Sequence, residues 1–141
     1  MTLPAVANER APLVLVVDDV EDNRMMYRQY LEHAGYRVEE AEDATRGLAL
    51  ARELVPAIIV MDLSMPGLDG WEATRLLKSD PVTKNIGIVA LSAFHEPPSR
   101  QRAKEAGADF FVAKPCLPSE LALHVSECIR RRPRTGSKSS G

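Results

Sequence analysis

At 141 residues, 45% of them hydrophobic and 27% charged, the chain suits one globular domain with short tails, large enough to hold a core without disulfides or structural metal. Its net charge of −2 is unevenly spread: Arg130, Arg131, Arg132, Arg134 and Lys138 crowd residues 130–141, which leaves 13 bases against 20 acids elsewhere, and so acidic a body repels nucleic acid. No apolar stretch approaches the ~20 residues that cross a bilayer, and MTLPAVANERAP lacks the cationic-then-apolar order of a signal peptide, so a cytoplasmic protein without membrane contact is expected.

Leu13-Val14-Leu15-Val16-Val17 is an unbroken aliphatic run of strand length, as a strand buried on both faces requires. Residues from about Asp22 to Ala34 carry Met26, Tyr27, Tyr30, Leu31 and Ala34 at helical spacing, and Gly35 supplies the stop. The cycle repeats with a strand over 36–41, a helix over 43–54, and a second fully apolar strand over 57–61 after Pro56. A turn at Met65-Pro66-Gly67 leads to a helix over about 69–79, then a strand over 86–91 and a helix over about 99–106. The strand over 109–113 is followed by a helix that Pro118 opens, with Leu121, Val125, Cys128 and Ile129 on one face. Five strand–helix units in succession predict an α/β fold, a parallel sheet with helices on both faces. Residues 1–12 and the basic tail 132–141 read as flanking segments around a domain over 13–131. Cys116 and Cys128 form no C-x-x-C pair and read as small buried thiols.

Open parallel sheets bind ligands at the carboxyl ends of their strands. Asp18 and Asp19 follow the first strand, Asp62 the third, Ser92 the fourth, and Lys114-Pro115 the fifth. Taken singly, each has an ordinary explanation: a solvated loop, a helix cap by Asp22, a turn, a surface lysine. Taken together they bring three carboxylates, a hydroxyl and an ammonium to one edge. Crowded acids repel, and a hard divalent cation such as Mg²⁺, which takes oxygen ligands, offsets that repulsion.

The motifs V-V-D-D, M-D-L-S-M-P-G-L-D-G, A-L-S-A and F-F-V-A-K-P, in this order over about Leu13 to Arg131, resemble the receiver domains of bacterial two-component response regulators. The resemblance implies a three-layer, flavodoxin-like (CheY-like), doubly wound sheet of five parallel strands in the order 2-1-3-4-5. It implies Asp62 as the acceptor of a phosphoryl group from a sensor histidine kinase or a histidine phosphotransfer protein. Asp19, Asp62 and the Ser64 carbonyl would bind Mg²⁺, with Asp18 holding a metal-bound water. Ser92 and Lys114 would contact the phosphoryl group, Phe111 would be the aromatic switch residue, and the Lys114–Pro115 bond would be cis. Phosphoryl transfer asks a protein mainly for positioning and charge neutralisation, and this set supplies both.

Against the family's commonest pattern, Ser92 replaces Thr and Phe111 replaces Tyr, so the switch would act by packing alone. Ser64 and Phe94 stand where side chains flank the hydrolytic water, which implies slow self-dephosphorylation. Phe94-His95-Glu96-Pro97-Pro98 reads as a loop stiffened by two prolines. Such a chain would be no enzyme beyond its own phosphorylation and dephosphorylation. Without an output domain it would act on a downstream protein target or in a relay, and the face of the fourth helix, fifth strand and fifth helix would be the one to form a homodimer. A haloacid-dehalogenase phosphatase needs a second Asp two residues after the nucleophile, where Asp62 has Ser64. Neither G-x-G-x-x-G nor a G-K-[ST] loop supports a nucleotide-binding enzyme. A scaffold that binds partners independently of phosphorylation is the remaining rival.

Overall fold

The computed structural model describes residues 11–65, 70–92, 97–114 and 116–131. Five strands, β1 (Leu13–Val17), β2 (Arg37–Ala41), β3 (Ile58–Asp62), β4 (Gly87–Ser92) and β5 (Phe110–Ala113), alternate with five helices. The helices are α1 (Glu21–His33), α2 (Ala44–Leu54), α3 (Gly70–Ser79), α4 (Pro97–Ala106) and α5 (Pro118–Arg131). The strands are all parallel, in the order β2-β1-β3-β4-β5. This is the fold that the sequence pattern and its resemblance led us to expect.

The aliphatic runs are continuous because alternate side chains serve opposite faces of the sheet. Val14 and Val16 of β1, Ile58 and Val60 of β3, and Val89 and Leu91 of β4 pack with Tyr27 and Leu31 of α1 and with Leu121, Val125 and Cys128 of α5. Their neighbours Leu15, Val17, Ile59, Met61, Ile88 and Ala90 pack instead with Leu50 and Ala51 of α2 and with Trp71, Ala73 and Leu77 of α3. Both cysteines are buried, and they are not joined in a disulfide.

The helix boundaries have local causes. At the end of α1 the N–H groups of Gly35 and Tyr36 return to the carbonyls of Glu32 and Leu31, each at 3.0 Å. That reversal needs the φ of +105° that Gly35 adopts without a Cβ penalty. Asp43 caps α2 by accepting the Arg46 N–H at 2.8 Å. The same helix ends on Val55, a β-branched residue in the left-handed region at φ 45°.

Two expectations are corrected, and one of the ordinary alternatives fails. Asp22 does not cap α1: the cap position is Val20, without a side-chain hydrogen bond, and Asp22 lies in the first turn, where its charge suits the helix dipole. The apolar stripe of α1 narrows to Tyr27 and Leu31, because one helix face touches the sheet; Met26 and Tyr30 are exposed, as is Ala34. Finally, α4 starts at Pro97 rather than near Ser99, so the two prolines stand in a helix's first turn and not in a loop. Proline fits there because the first N–H groups of a helix need no intrahelical acceptor.

Candidate functional site

Parallel pairing lines up the carboxyl ends of the strands. Asp62 is the last residue of β3 and stands opposite Leu91, and Ser92, the last residue of β4, stands opposite Ala113. Beyond the ladder, the Leu63 N–H donates to the Leu91 carbonyl and the Lys114 N–H to the Ser92 carbonyl, each at 2.8 Å. These bonds carry the acceptor strand, the hydroxyl and the lysine forward in step.

Asp62 is 2% exposed, and its carboxylate is held at both oxygens. Oδ1 accepts the Ser64 N–H at 2.8 Å, and Oδ2 accepts Lys114 Nζ at 3.1 Å. Asp18 is 1% exposed; its Oδ1 accepts the Val20 N–H at 2.9 Å and its Oδ2 accepts Asn23 Nδ2 at 3.4 Å. Asp19 beside it is exposed. One carboxylate oxygen from each of Asp18, Asp19 and Asp62 can be chosen so that all lie within 4.8 Å of one another.

Burial above all pushes the Asp18 carboxyl above its ordinary value; the Val20 N–H pulls it down, and the Asp62 charge pushes it up again. Tyr27 lies behind the site, and its hydroxyl is raised to about 12, first by burial and then by the charges of Cys116, Asp18 and Asp62. Burial, with the charge of Glu120, also raises the Cys116 thiol.

Three clustered carboxylates against one ammonium leave uncompensated negative charge, and an all-oxygen donor set suits a hard divalent ion. The donors present therefore fit Mg²⁺. Ser92 is fully buried at its strand end, and Phe111 is half-buried on β5 against the α2–α3 side of the core. Pro115 and Phe94 lie outside the described residues, and with them the expected cis bond and the flank of the hydrolytic path. The tail 132–141 does as well.

Two contributors are given no role by the sequence reading. Arg24, to which the sequence reading gives no role, donates to the Asp18 carbonyl. Gly70 lets α3 approach the acceptor strand: a Cβ there would lie 2.7 Å from the Asp62 carbonyl oxygen and 2.9 Å from Leu63 Cα. Gly70 closes the M-D-L-S-M-P-G-L-D-G motif, which was a visible signal for the second. Nothing in the sequence marks the first.

The family model for the response regulator receiver domain matches residues 14–126, and the chain belongs to that family. Receiver domains are signalling modules of two-component systems; they interact with histidine kinases and downstream targets, and Mg²⁺ binding and aspartate phosphorylation are general among them. The chain is 37% identical over 122 residues to the transcriptional regulatory protein ResD of Bacillus subtilis, covering 86% of this chain and 50% of that protein. It is 32% identical to the polar-differentiation response regulator DivK of Brucella anthropi, covering 72% of this chain and 83% of that one. Among solved structures, the chemotaxis protein CheY4 of Vibrio cholerae superposes with a TM-score of 0.79 at 30% identity, over 84% of this chain and 98% of that chain. The chain spans about half the length of the transcriptional regulators it matches. Among the described residues no helix is long and apolar enough to cross a membrane.

Proposed function

We propose that this chain is a Mg²⁺-dependent phosphoacceptor whose Asp62 takes a phosphoryl group from a phosphohistidine of a sensor kinase or phosphotransfer protein. The observation that carries the reading is the Asp62 carboxylate itself, buried at the carboxyl end of the central strand and gripped at both oxygens, with two further acids alongside. In the reaction an Asp62 oxygen bonds to phosphorus, the P–N bond breaks, and its electron pair returns to the imidazole.

The two donors on Asp62 fix the plane of its carboxylate, so that it meets the phosphorus already oriented. Lys114, whose ammonium is already at Asp62, offsets charge on the incoming phosphoryl oxygens, and the Ser92 hydroxyl donates to one of them. Asp19, Asp62 and the Ser64 carbonyl would hold Mg²⁺, with Asp18 binding through water. Bound there, the ion supplies charge neutralisation for the phosphoryl oxygens.

Ser92 and Phe111, on adjacent strands, are read as the elements that transmit phosphorylation to the face of α4, β5 and α5, where a downstream protein or a second copy would dock. The receiver unit is taken as 13–131, acting in the cytoplasm and catalysing only its own phosphorylation and dephosphorylation. Incubation with acetyl phosphate and Mg²⁺ should add one phosphoryl group to wild type and none to Asp62→Ala. Equal labelling of the two would reject the assignment.

A further inference from the structure

Arg24 lies in the first turn of α1, yet its guanidinium turns back toward the sheet, with the side chain 15% exposed. Nη1 donates to the Asp18 carbonyl oxygen at 2.8 Å, and Nε donates to Glu40 Oε1 at 3.0 Å. Glu40 belongs to β2, where it is in register with Val16 of β1, two residues before Asp18. Its other oxygen accepts Arg28 Nε at 2.6 Å, and Arg28 also bonds Glu32 at 2.8 Å. Burial pushes the Glu40 carboxyl up, but the hydrogen bonds from Arg28 and Arg24 outweigh it and hold the group below its ordinary value. Glu40 is therefore an ionised anchor.

The carbonyl that Arg24 grips belongs to the peptide linking Asp18 to Asp19. β1 has ended at Val17, and the Asp18 N–H still donates to the Ala41 carbonyl at 3.1 Å. The next peptide plane takes its hold from Arg24 instead. Because a peptide is planar, fixing its carbonyl fixes the direction in which the Asp19 Cα leaves the strand.

We propose that Arg24, anchored by Glu40, is a positioning residue that orients the Asp18–Asp19 peptide and so presents both carboxylates to the divalent ion. The inference rests on the Mg²⁺-dependent reading above. A planar fork can serve a carbonyl and a carboxylate at once in fixed directions, whereas the ammonium of lysine is a single point. Groups that orient metal ligands from behind commonly change metal affinity by about tenfold or more when removed.

The test is calorimetric titration of Mg²⁺ into wild type, Arg24→Gln, Arg24→Lys, Glu40→Gln and the Arg24→Gln/Glu40→Gln double variant, with phosphorylation by acetyl phosphate followed across Mg²⁺ concentrations. Each single variant should bind Mg²⁺ about tenfold more weakly, the double variant no more weakly than the singles, and saturating Mg²⁺ should restore the labelling rate. A purely structural role would lower the melting temperature of the variants and leave their Mg²⁺ affinity at the wild-type value, which would overturn the proposal. So would additive losses in the double variant, since two parts of one clamp cannot be lost twice. Wild type that takes up no Mg²⁺ would overturn the underlying phosphoacceptor reading as well, and the wild-type titration alone separates that failure from the failure of the clamp.

Discussion

Lys114 Nζ stands 3.1 Å from Asp62 Oδ2, with the lysine side chain 24% exposed and the aspartate 3%. This cation, reached across the sheet from the end of β5, faces a buried acid that has two more acids as neighbours. Removing it leaves the Asp62 charge buried, with the Ser64 N–H as its remaining hydrogen-bond donor shown among the described residues. Lys114→Met should lower stability near neutral pH by about 2 kcal/mol, between the ranges for exposed and fully buried pairs. Adding Asp62→Asn to that variant should recover most of the loss, and urea unfolding of the four proteins in the cycle measures it.

The raised Asp18 carboxyl makes a prediction whose sign is opposite to that of an ordinary ion-paired acid. Its folded value lies above the ordinary 3.8, so between the two values the folded state holds more proton than the unfolded one. Stability from this group therefore falls as pH rises through that window, and the full cost is present at neutral pH. In EDTA near neutral pH, Asp18→Asn should melt above wild type, with the gap closing as pH is lowered toward the ordinary carboxylate range. Millimolar Mg²⁺ should raise the melting temperature of wild type more than that of the variant.

The strands were legible because a sheet covered on both faces demands unbroken aliphatic runs, and Val14 to Val17, Ile58 to Met61 and Ile88 to Leu91 are such runs. The acids were legible because Asp18, Asp19 and Asp62 follow those runs directly. What α1 buries was not legible: Met26, Tyr27, Tyr30 and Leu31 are all apolar, and only packing against the sheet selects Tyr27 and Leu31. Arg24 was hidden for a related reason. Its partners, the Asp18 carbonyl and Glu40 on β2, come within reach only after β2 pairs with β1.

Gly70 should be intolerant of any side chain. The atoms a Cβ would meet at 2.7 and 2.9 Å are backbone atoms of Asp62 and Leu63, which cannot swing aside as a flexible side chain can. Gly70→Ala should cost about 1–3 kcal/mol through overpacking. Because the displaced atoms belong to Asp62 and the residue after it, acetyl phosphate labelling should slow as well, and a stopped time course at saturating Mg²⁺ would reveal it.

Val55 offers a gain in stability far from the chemistry. Left-handed backbone costs a residue with a Cβ about 1–2 kcal/mol, and Val55 adopts it at the end of α2 while being 49% exposed. Asparagine tolerates that conformation. Val55→Asn should therefore stabilise the fold by about 1 kcal/mol without changing Mg²⁺ affinity, as chemical denaturation and metal titration would show.

The most direct test of the central claim is chemical location of the phosphoryl group. An aspartyl phosphate is reduced by borohydride to homoserine, whereas a free carboxylate is not. Wild type treated with acetyl phosphate and Mg²⁺, reduced, and read by peptide mass spectrometry should carry homoserine at position 62 alone, and none when Mg²⁺ is withheld. Homoserine at position 18 or 19, or phosphate on a residue that survives reduction, would contradict the assignment of Asp62 as the acceptor.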